Sequence, residues 1–128
     1  PPPPPPPPLL FRRQRQMCIR DSHPDVATTL NNLALLYDAQ DRYEEAEPLY
    51  KRSLEIREDK LGKDHPDVAT TLNNLAALYY AQDRYEEAEP LYQRAIAIMQ
   101  TKFPNGHPNL DTFQSNYDAL KKTIAVKQ

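Results

Sequence analysis

The sequence predicts an all-α fold, an α-solenoid of antiparallel helix pairs. One block, HPDVATTLNNLALLYDAQDRYEEAEPLY, begins at His23 and returns from His65 with two differences. A weaker third start, HPNLDTFQSNYDALKK, begins at His107, so both intervals are 42 residues (65−23 and 107−65). Apolar residues in each block recur three and four positions apart, which is typical of helices with one buried stripe. Such a unit cannot bury its apolar face alone, so the units are expected to stack.

The first 22 residues differ from the repeats, and we expect them to be disordered and of low complexity. Pro1–Pro8 is a homopolymer, and the basic stretch after it has no period. Residues 17–22 read MCIRDS, which resembles the translation of a transposon-end sequencing adapter, so we interpret the segment as an assembly artefact. The alternative is a genuine proline-rich tail, whose polyproline II rod could be read by proline-binding domains.

Charge and composition exclude several functional classes for the repeats. The whole chain has 16 Lys+Arg and 18 Asp+Glu, of which residues 1–22 contribute four and one. Residues 23–128 therefore carry 12 Lys+Arg and 17 Asp+Glu, for a net charge of −5. Dispersed negative charge disfavours nucleic acid as a partner, and no stretch is apolar enough to span a membrane. Cys18 is the only cysteine and lies before the repeats. We expect one cytoplasmic domain without a cofactor, a metal or a small-molecule substrate.

The first repeat, residues 23–64, predicts two helices. Pro24 suits the first helical position because its missing amide would have no intrahelical partner. The first helix is expected to end near Gln40. Asp41 followed by Glu44 has the spacing of a capping box, which predicts that the second helix begins there.

The second repeat, residues 65–106, copies this plan, and residues 107–128 predict one further helix. We expect the helices of the second repeat at residues 66–81 and 84–102. The last helix, residues 108–126, carries polar residues at former apolar positions, as expected of a terminal cap that faces water.

The predicted core consists of the large, small and aromatic positions of the apolar stripes. These residues are Leu30, Leu33, Ala34, Tyr37, Ala46 and Tyr50 in the first repeat and Leu72, Leu75, Ala76, Tyr79, Ala88 and Tyr92 in the second.

Their order, L-x-x-L-A-x-x-Y followed by A-x-x-x-Y, resembles the tetratricopeptide repeat. The long period and the strings HPDVATTLNNLA, YEEAEPLY and LEIRE resemble the kinesin light chain type of that repeat over residues 23–128. The usual proline at the end of the second helix is absent, and Glu58 occupies that region. Because two complete repeats are fewer than the roughly three that usually fold alone, we expect this chain to be part of a longer array.

The resemblance implies a binding groove. In that family the first helices of the repeats line a concave groove that holds extended peptides, and asparagines bind the peptide backbone. The second asparagine of N-N-L-A carries that role, which implies Asn32, Asn74 and, by register, Asn116. The full set of predicted groove residues is Asn31, Asn32, Leu35, Asp38, Asn73, Asn74, Ala77, Tyr80 and Asn116.

The repeats themselves add evidence about this face. From His23 to Tyr50 the two copies differ only at Leu35 against Ala77 and at Asp38 against Tyr80. Positions three apart lie on one helix face. We therefore hypothesise that constant asparagines grip a peptide backbone while variable neighbours set the side-chain preference. The structural alternative is that the asparagines form hydrogen bonds between stacked helices.

No pattern in the repeats indicates catalysis. His23, His65 and His107 occur once per repeat, too far apart to share a metal ion, and no nucleophile–base pair or phosphate loop is present. We expect a non-enzymatic module that binds a protein or peptide as part of a longer scaffold. The alternatives are a regulatory array within a larger signalling protein or enzyme, and a structural spacer without a ligand.

Overall fold

The computed structural model describes residues 23–127, in which five helices follow one another. They are α1 (Pro24–Ala39), α2 (Tyr43–Leu61), α3 (Pro66–Ala81), α4 (Tyr85–Lys102) and α5 (Pro108–Lys127). Each helix packs mainly on its neighbours in sequence, so the pairs α1–α2 and α3–α4 stack and α5 closes the far side. The predicted all-α solenoid is confirmed. The segment predicted to be disordered, residues 1–22, lies outside the described residues.

A histidine caps the start of each first helix and of α5. Its Nδ1 accepts a hydrogen bond from the backbone amide two residues later, which satisfies a donor that has no intrahelical partner. The three bonds join His23 to Asp25, His65 to Asp67 and His107 to Asn109, at 3.1, 3.0 and 3.0 Å. The recurrence of this histidine thus has a local structural cause.

The predicted capping box at Asp41 is wrong. Asp41 adopts a left-handed conformation with φ of 60°, and Arg42 occupies the cap position of α2 without a side-chain capping bond. The Asp41 carboxylate instead accepts a hydrogen bond from the Tyr43 hydroxyl at 2.9 Å. Asp83 and Tyr85 repeat this arrangement at 2.7 Å, so the motif shapes the turn rather than caps the helix.

Most of the predicted core is buried, with one clear exception. The buried members are Ala34, Ala46, Tyr50, Leu72, Leu75, Ala76, Tyr79, Ala88 and Tyr92. Leu30 and Tyr37 are only partly buried. Leu33 was predicted to be core but is 37% exposed, whereas its counterpart Leu75 is 3% exposed. The reason is that Leu75 packs into the core of the preceding repeat, and no helix pair precedes α1 within residues 23–127.

Between α2 and α3 the interface contains a buried arginine. The Arg57 guanidinium donates to the Thr71 hydroxyl at 2.6 Å and to the Asp67 carbonyl at 3.3 Å. Its other terminal nitrogen donates to the Thr28 hydroxyl at 3.2 Å. Burial lowers the pKa of Arg57, because desolvation disfavours the cation. These bonds connect α1, α2 and α3 through one side chain.

The equivalent position in the second repeat is apolar. Met99 stands 42 residues after Arg57, and it is buried in one cluster with Phe113 of α5. Phe113 in turn stands 42 residues after Thr71. One interface is therefore closed by an arginine and hydroxyls, and the next by a methionine and an aromatic ring.

A partly buried carboxylate near the start of α2 also joins the two repeats. Glu47 accepts from Arg84 at 3.2 Å, and the Lys51 ammonium lies 3.3 Å away. Burial acts to raise the pKa of Glu47, but hydrogen bonds from Tyr79, Arg84 and Lys51 outweigh it and hold the pKa below its ordinary value. Glu89, at the same position of the second repeat, has only a bond of 3.5 Å with Gln93 in the part of the chain described.

We expect unequal losses of stability when Arg57 and Met99 are each replaced by the residue found at the other interface. Arg57→Met should leave the free energy of unfolding within about 1 kcal/mol, because it removes a desolvated cation and both threonine hydroxyls keep backbone acceptors. Met99→Arg should cost at least about 3 kcal/mol, since it buries a cation where the Phe113 ring replaces the hydroxyl that Thr71 offers Arg57. Urea unfolding of both variants tests this, and equal losses would contradict it.

Glu47 should make stability depend on pH. Its folded pKa is lowered, so its stabilising contribution is complete above its unfolded pKa, about 4.3, and is lost as the pH falls through the folded value. Glu47→Gln should therefore cost about 1 kcal/mol at neutral pH and progressively less in acid. Urea unfolding at a series of pH values measures this difference. Glu89→Gln is the matched control, and its free energy of unfolding should stay close to that of the unsubstituted chain at every pH. If the free energy of unfolding of Glu47→Gln runs parallel to that of the unsubstituted chain over the whole pH range, the Glu47 carboxylate does not have this role.

Candidate functional site

Helices α1, α3 and α5 share a face on which residues recur at the 42-residue period. Positions separated by three lie on the same side of each helix. We call this set the first-helix face: Asn32 and Leu35 on α1, Asn74 and Ala77 on α3, and Asn116 and Ala119 on α5. All six residues are at least partly exposed, and Leu35 is 42% exposed. Rigid helices position these side chains, an arrangement more precise than one built on loops.

A ladder of asparagines connects the three helices. The Asn74 amide donates to Asn31 Oδ1 at 3.1 Å, and the Asn116 amide donates to Asn73 Oδ1 at 3.1 Å. Asn31 and Asn73 are buried, with 6% and 7% exposure. Their prediction as groove residues is therefore wrong, because each lies between helices and accepts from the next repeat. For these two residues the structural alternative is correct.

The ladder leaves binding capacity on its exposed members. A side-chain amide offers one oxygen acceptor and two N–H donors. Asn74 and Asn116 each use one donor in the ladder, which fixes the plane of the amide while its oxygen and second N–H stay available. Asn32 is exposed and makes no side-chain hydrogen bond within residues 23–127.

The two residues at the second variable position, Tyr80 and Asp38, behave differently in the structure. The Tyr80 hydroxyl lies 2.8 Å from Thr123 Oγ1, and its ring centre lies 5.5 Å from that of Tyr85. Tyr80 thus fastens α3 to α5 rather than standing free. Asp38 has no ion-pair partner among the described residues, and burial together with the neighbouring Asp41 raises its pKa.

Thr123 is a contact that sequence reasoning missed. It lies 43 residues after Tyr80 (123−80), the same separation as in both asparagine pairs. A separation one greater than the period marks side chains that meet between successive first helices. The 43-residue separation can be found in the sequence, but it indicates a contact only once the hydrogen bonds of the asparagine ladder are known.

A buried tyrosine lies close to Asp38. The Tyr50 hydroxyl is enclosed in the core and has no hydrogen-bond partner within the described part of the chain. Burial raises the pKa of Tyr50, and the charge of Asp38 raises it further. Because neither group has a cation beside it in residues 23–127, positive charge arriving at Asp38 would be favoured.

Other kinds of site find no support in the described residues. Residues 23–127 contain no group of three or more His, Cys, Asp or Glu side chains placed to hold a metal ion. None of their helices combines the length and apolarity needed to cross a bilayer.

A surface depression of about 540 Å³ lies on α2, away from the first-helix face. Its lining is Lys51, Leu54, Glu55, Glu58, Asp59 and Lys63. Two of these charges are already compensated, because Lys51 lies 3.3 Å from Glu47 and Glu58 lies 3.2 Å from Arg94. The first-helix face is therefore the better candidate for binding.

Comparison with known proteins gives consistent matches. A family model described as the tetratricopeptide repeat matches residues 10–59 and 25–101. The crystal structure of BtubC (BKLC) from P. vanneervenii is similar with a TM-score of 0.74 and 31% identity, over 82% of this chain and 42% of that one. A search of curated protein sequences gave no match.

A second solved structure, from Podosopora anserina, is described as a kinesin light chain with nearly identical TPR-like repeats. It has a TM-score of 0.72 and 23% identity, over 80% of this chain and 49% of that one, a likeness that shows the fold alone. The chain spans less than half the length of either protein.

The ladder predicts unequal effects for two equivalent asparagines. Asn74→Ala should cost about 1–3 kcal/mol, because it leaves the buried Asn31 oxygen without a donor. Asn32→Ala should change the free energy of unfolding by less than about 0.5 kcal/mol. Urea unfolding measures both, and a double variant with Asn31→Ala should recover part of the Asn74→Ala loss. Equal losses at Asn32 and Asn74 would show that the ladder does not stabilise the fold.

Proposed function

This chain belongs to the tetratricopeptide repeat family, and from that premise we propose that its first-helix face binds an extended peptide of a partner protein. Repeats of this family are protein–protein interaction modules, and a role within a scaffold fits the stacked helix pairs. We further propose that the module acts in the cytoplasm and has no catalytic activity of its own.

The asparagine ladder is the observation that carries this proposal. Asn74 and Asn116 are held by buried acceptors while each keeps an oxygen and an N–H for a ligand. An amide in this state can accept from one backbone N–H of a peptide and donate to a backbone carbonyl. An extended chain presents both groups and has no internal hydrogen bonds to lose. Because the amides are already oriented, little side-chain entropy is lost on binding.

The neighbouring positions suggest which side chains the peptide carries. Leu35 offers an exposed apolar surface, and Ala77 leaves more room at the same place on α3. The Asp38 carboxylate beside them is unpaired among the described residues, and its pKa is raised by burial and by Asp41. We infer a preference for an apolar residue over α1 with a basic residue near Asp38.

Selection from a displayed library of random, unstructured peptides on the full chain tests the proposal. Asn32→Ala should weaken the selected peptides by about threefold to tenfold, the net value of a hydrogen bond, without affecting folding. Asp38→Asn should reduce both the preference for basic peptides and the salt dependence of binding. Fluorescence titration measures both effects.

Gln100→Ala provides the control, since Gln100 is an exposed amide on α4. It should leave affinity unchanged. Selected peptides that bind Asn32→Ala and Asp38→Asn as tightly as the unsubstituted chain would place the site elsewhere. If no peptide is enriched on folded protein, the structural spacer becomes the better interpretation.

A further inference from the structure

Two side chains that join the ends of α3 and α5 are replaced by smaller ones between α1 and α3. The Tyr80 hydroxyl on α3 lies 2.8 Å from Thr123 Oγ1 on α5. The residues 42 positions earlier are Asp38 on α1 and Ala81 on α3. Asp38 is partly buried and Ala81 is exposed. The place that a tyrosine and a threonine close in the second repeat is therefore not closed in the first.

The ring that Tyr80 contacts is present in both repeats. The ring centres of Tyr80 and Tyr85 lie 5.5 Å apart, and Tyr43 stands 42 residues before Tyr85. The hydroxyls of Tyr43 and Tyr85 each donate to the aspartate two residues earlier, at 2.9 and 2.7 Å, so both rings are held in the same way. The side chain of Asp38 lacks a ring, and the space that Tyr80 fills beside Tyr85 is not filled beside Tyr43.

A buried hydroxyl without a partner lies near Asp38. Tyr50 is fully buried, and its hydroxyl has no hydrogen-bond partner within residues 23–127. Burial and then the charge of Asp38 raise the pKa of Tyr50, just as burial and then Tyr80 raise the pKa of Tyr92 to about 12. Each buried tyrosine thus lies near its own variable residue. Since an unpaired buried hydroxyl costs free energy, a donor that reaches Asp38 would gain a second acceptor here.

The charge at this place is negative and uncompensated. Asp38 has no ion pair among the described residues, and burial together with the neighbouring Asp41 raises its pKa. The arginine of the same turn is engaged elsewhere, because Arg42 lies over the Tyr37 ring at 4.5 Å and donates to Glu45 at 3.0 Å. What the place lacks is a cation from outside the described part of the chain.

We call this place the Asp38 notch, and its residues are Asp38, Tyr43, Tyr50 and Ala81. We propose that the notch is a subsite for one arginine side chain of the bound peptide, a proposal that rests on the peptide-binding function of the first-helix face. The guanidinium lies against the Tyr43 ring, pairs with Asp38 and donates a further N–H to the Tyr50 hydroxyl. Because Tyr80 fills the equivalent place in the second repeat, the arginine fixes where the peptide lies along the face.

Arginine fits the notch better than other side chains do. A guanidinium is planar, carries five N–H donors and binds aromatic faces within about 6 Å of the ring centre. The same combination occurs within this protein, where Arg84 lies 4.3 Å from the centre of the Tyr79 ring and donates to Glu87 at 3.0 Å. The ammonium of lysine is compact, strongly hydrated and cannot lie flat on a ring. An aromatic side chain would fill the space but leave the Asp38 charge unpaired.

The test compares matched peptides on the full chain. A peptide selected on the chain from the random library is made with its arginine, with lysine in that place, and with citrulline, which keeps the shape without the charge. Both replacements should weaken binding by at least about threefold in fluorescence titration. Asp38→Asn should remove most of the difference between arginine and citrulline. Asp59→Asn, which removes an exposed carboxylate on α2, is the control and should leave that difference unchanged.

A variant with a filled notch gives the sharper comparison. Asp38→Tyr combined with Ala81→Thr copies the pair that already joins α3 to α5, so the chain should fold and its thermal midpoint should not fall. The peptides with arginine and with lysine should then bind this variant equally, within about twofold. An arginine preference that survives in this variant would overturn the proposal. So would lysine or citrulline peptides that bind the unsubstituted chain as tightly as the arginine peptide.

Failure of the notch can be told apart from failure of peptide binding. Titration with N-acetyl-arginine amide, followed by the NMR shifts of the Asp38 and Ala81 backbone amides, needs no peptide. Shifts with arginine amide that lysine amide does not produce would support the notch even if no peptide is enriched. Enriched peptides that lack arginine but lose affinity with Asn32→Ala would support the peptide-binding face and overturn the notch. Absence of both the shifts and an arginine preference would also overturn it.

Discussion

Burial of one helix pair by the next is the constraint on which the rest of this structure depends. A single pair keeps part of its apolar stripe open, as Leu33 and Leu36 on α1 show, and only stacking closes it, as Leu75 and Leu78 on α3 show. Apolar burial is proportional to area and has little directional preference. It therefore drives stacking but does not by itself fix how far one pair slides along another.

Polar contacts supply that register. Asn31 with Asn74, and Asn73 with Asn116, tie successive first helices together at two equivalent points. Glu47 with Arg84 does so at the turn, and Arg57 with Thr71 does so inside the interface. A buried polar group left unpaired costs more than a hydrogen bond gains, so a shift of register would be penalised at several places at once.

The same ladder connects stability with recognition. An asparagine that must satisfy a buried neighbour is also an asparagine with a fixed amide plane, so the requirement of folding prepares a group for binding. One variable position has a different role in each copy: Tyr80 joins α3 to α5 through Thr123, while Asp38 keeps an uncompensated charge near the first-helix face. At this position the variation between two copied blocks thus gives packing in the second repeat and accessible chemistry in the first.

The sequence by itself determined the helices, their order and most of the core, because a 42-residue period with apolar residues at helical spacing admits few other folds. It also brought Asn32, Asn74 and Asn116 to one face. Only the tertiary structure decided which asparagine of each pair is buried, that Leu33 is open, that Asp41 shapes a turn, and that Arg57 is inside. Periodicity within a helix reports which side is apolar. Whether a given side chain is covered, and by which partner, depends on the neighbouring helix pair, which the residue's own segment does not encode.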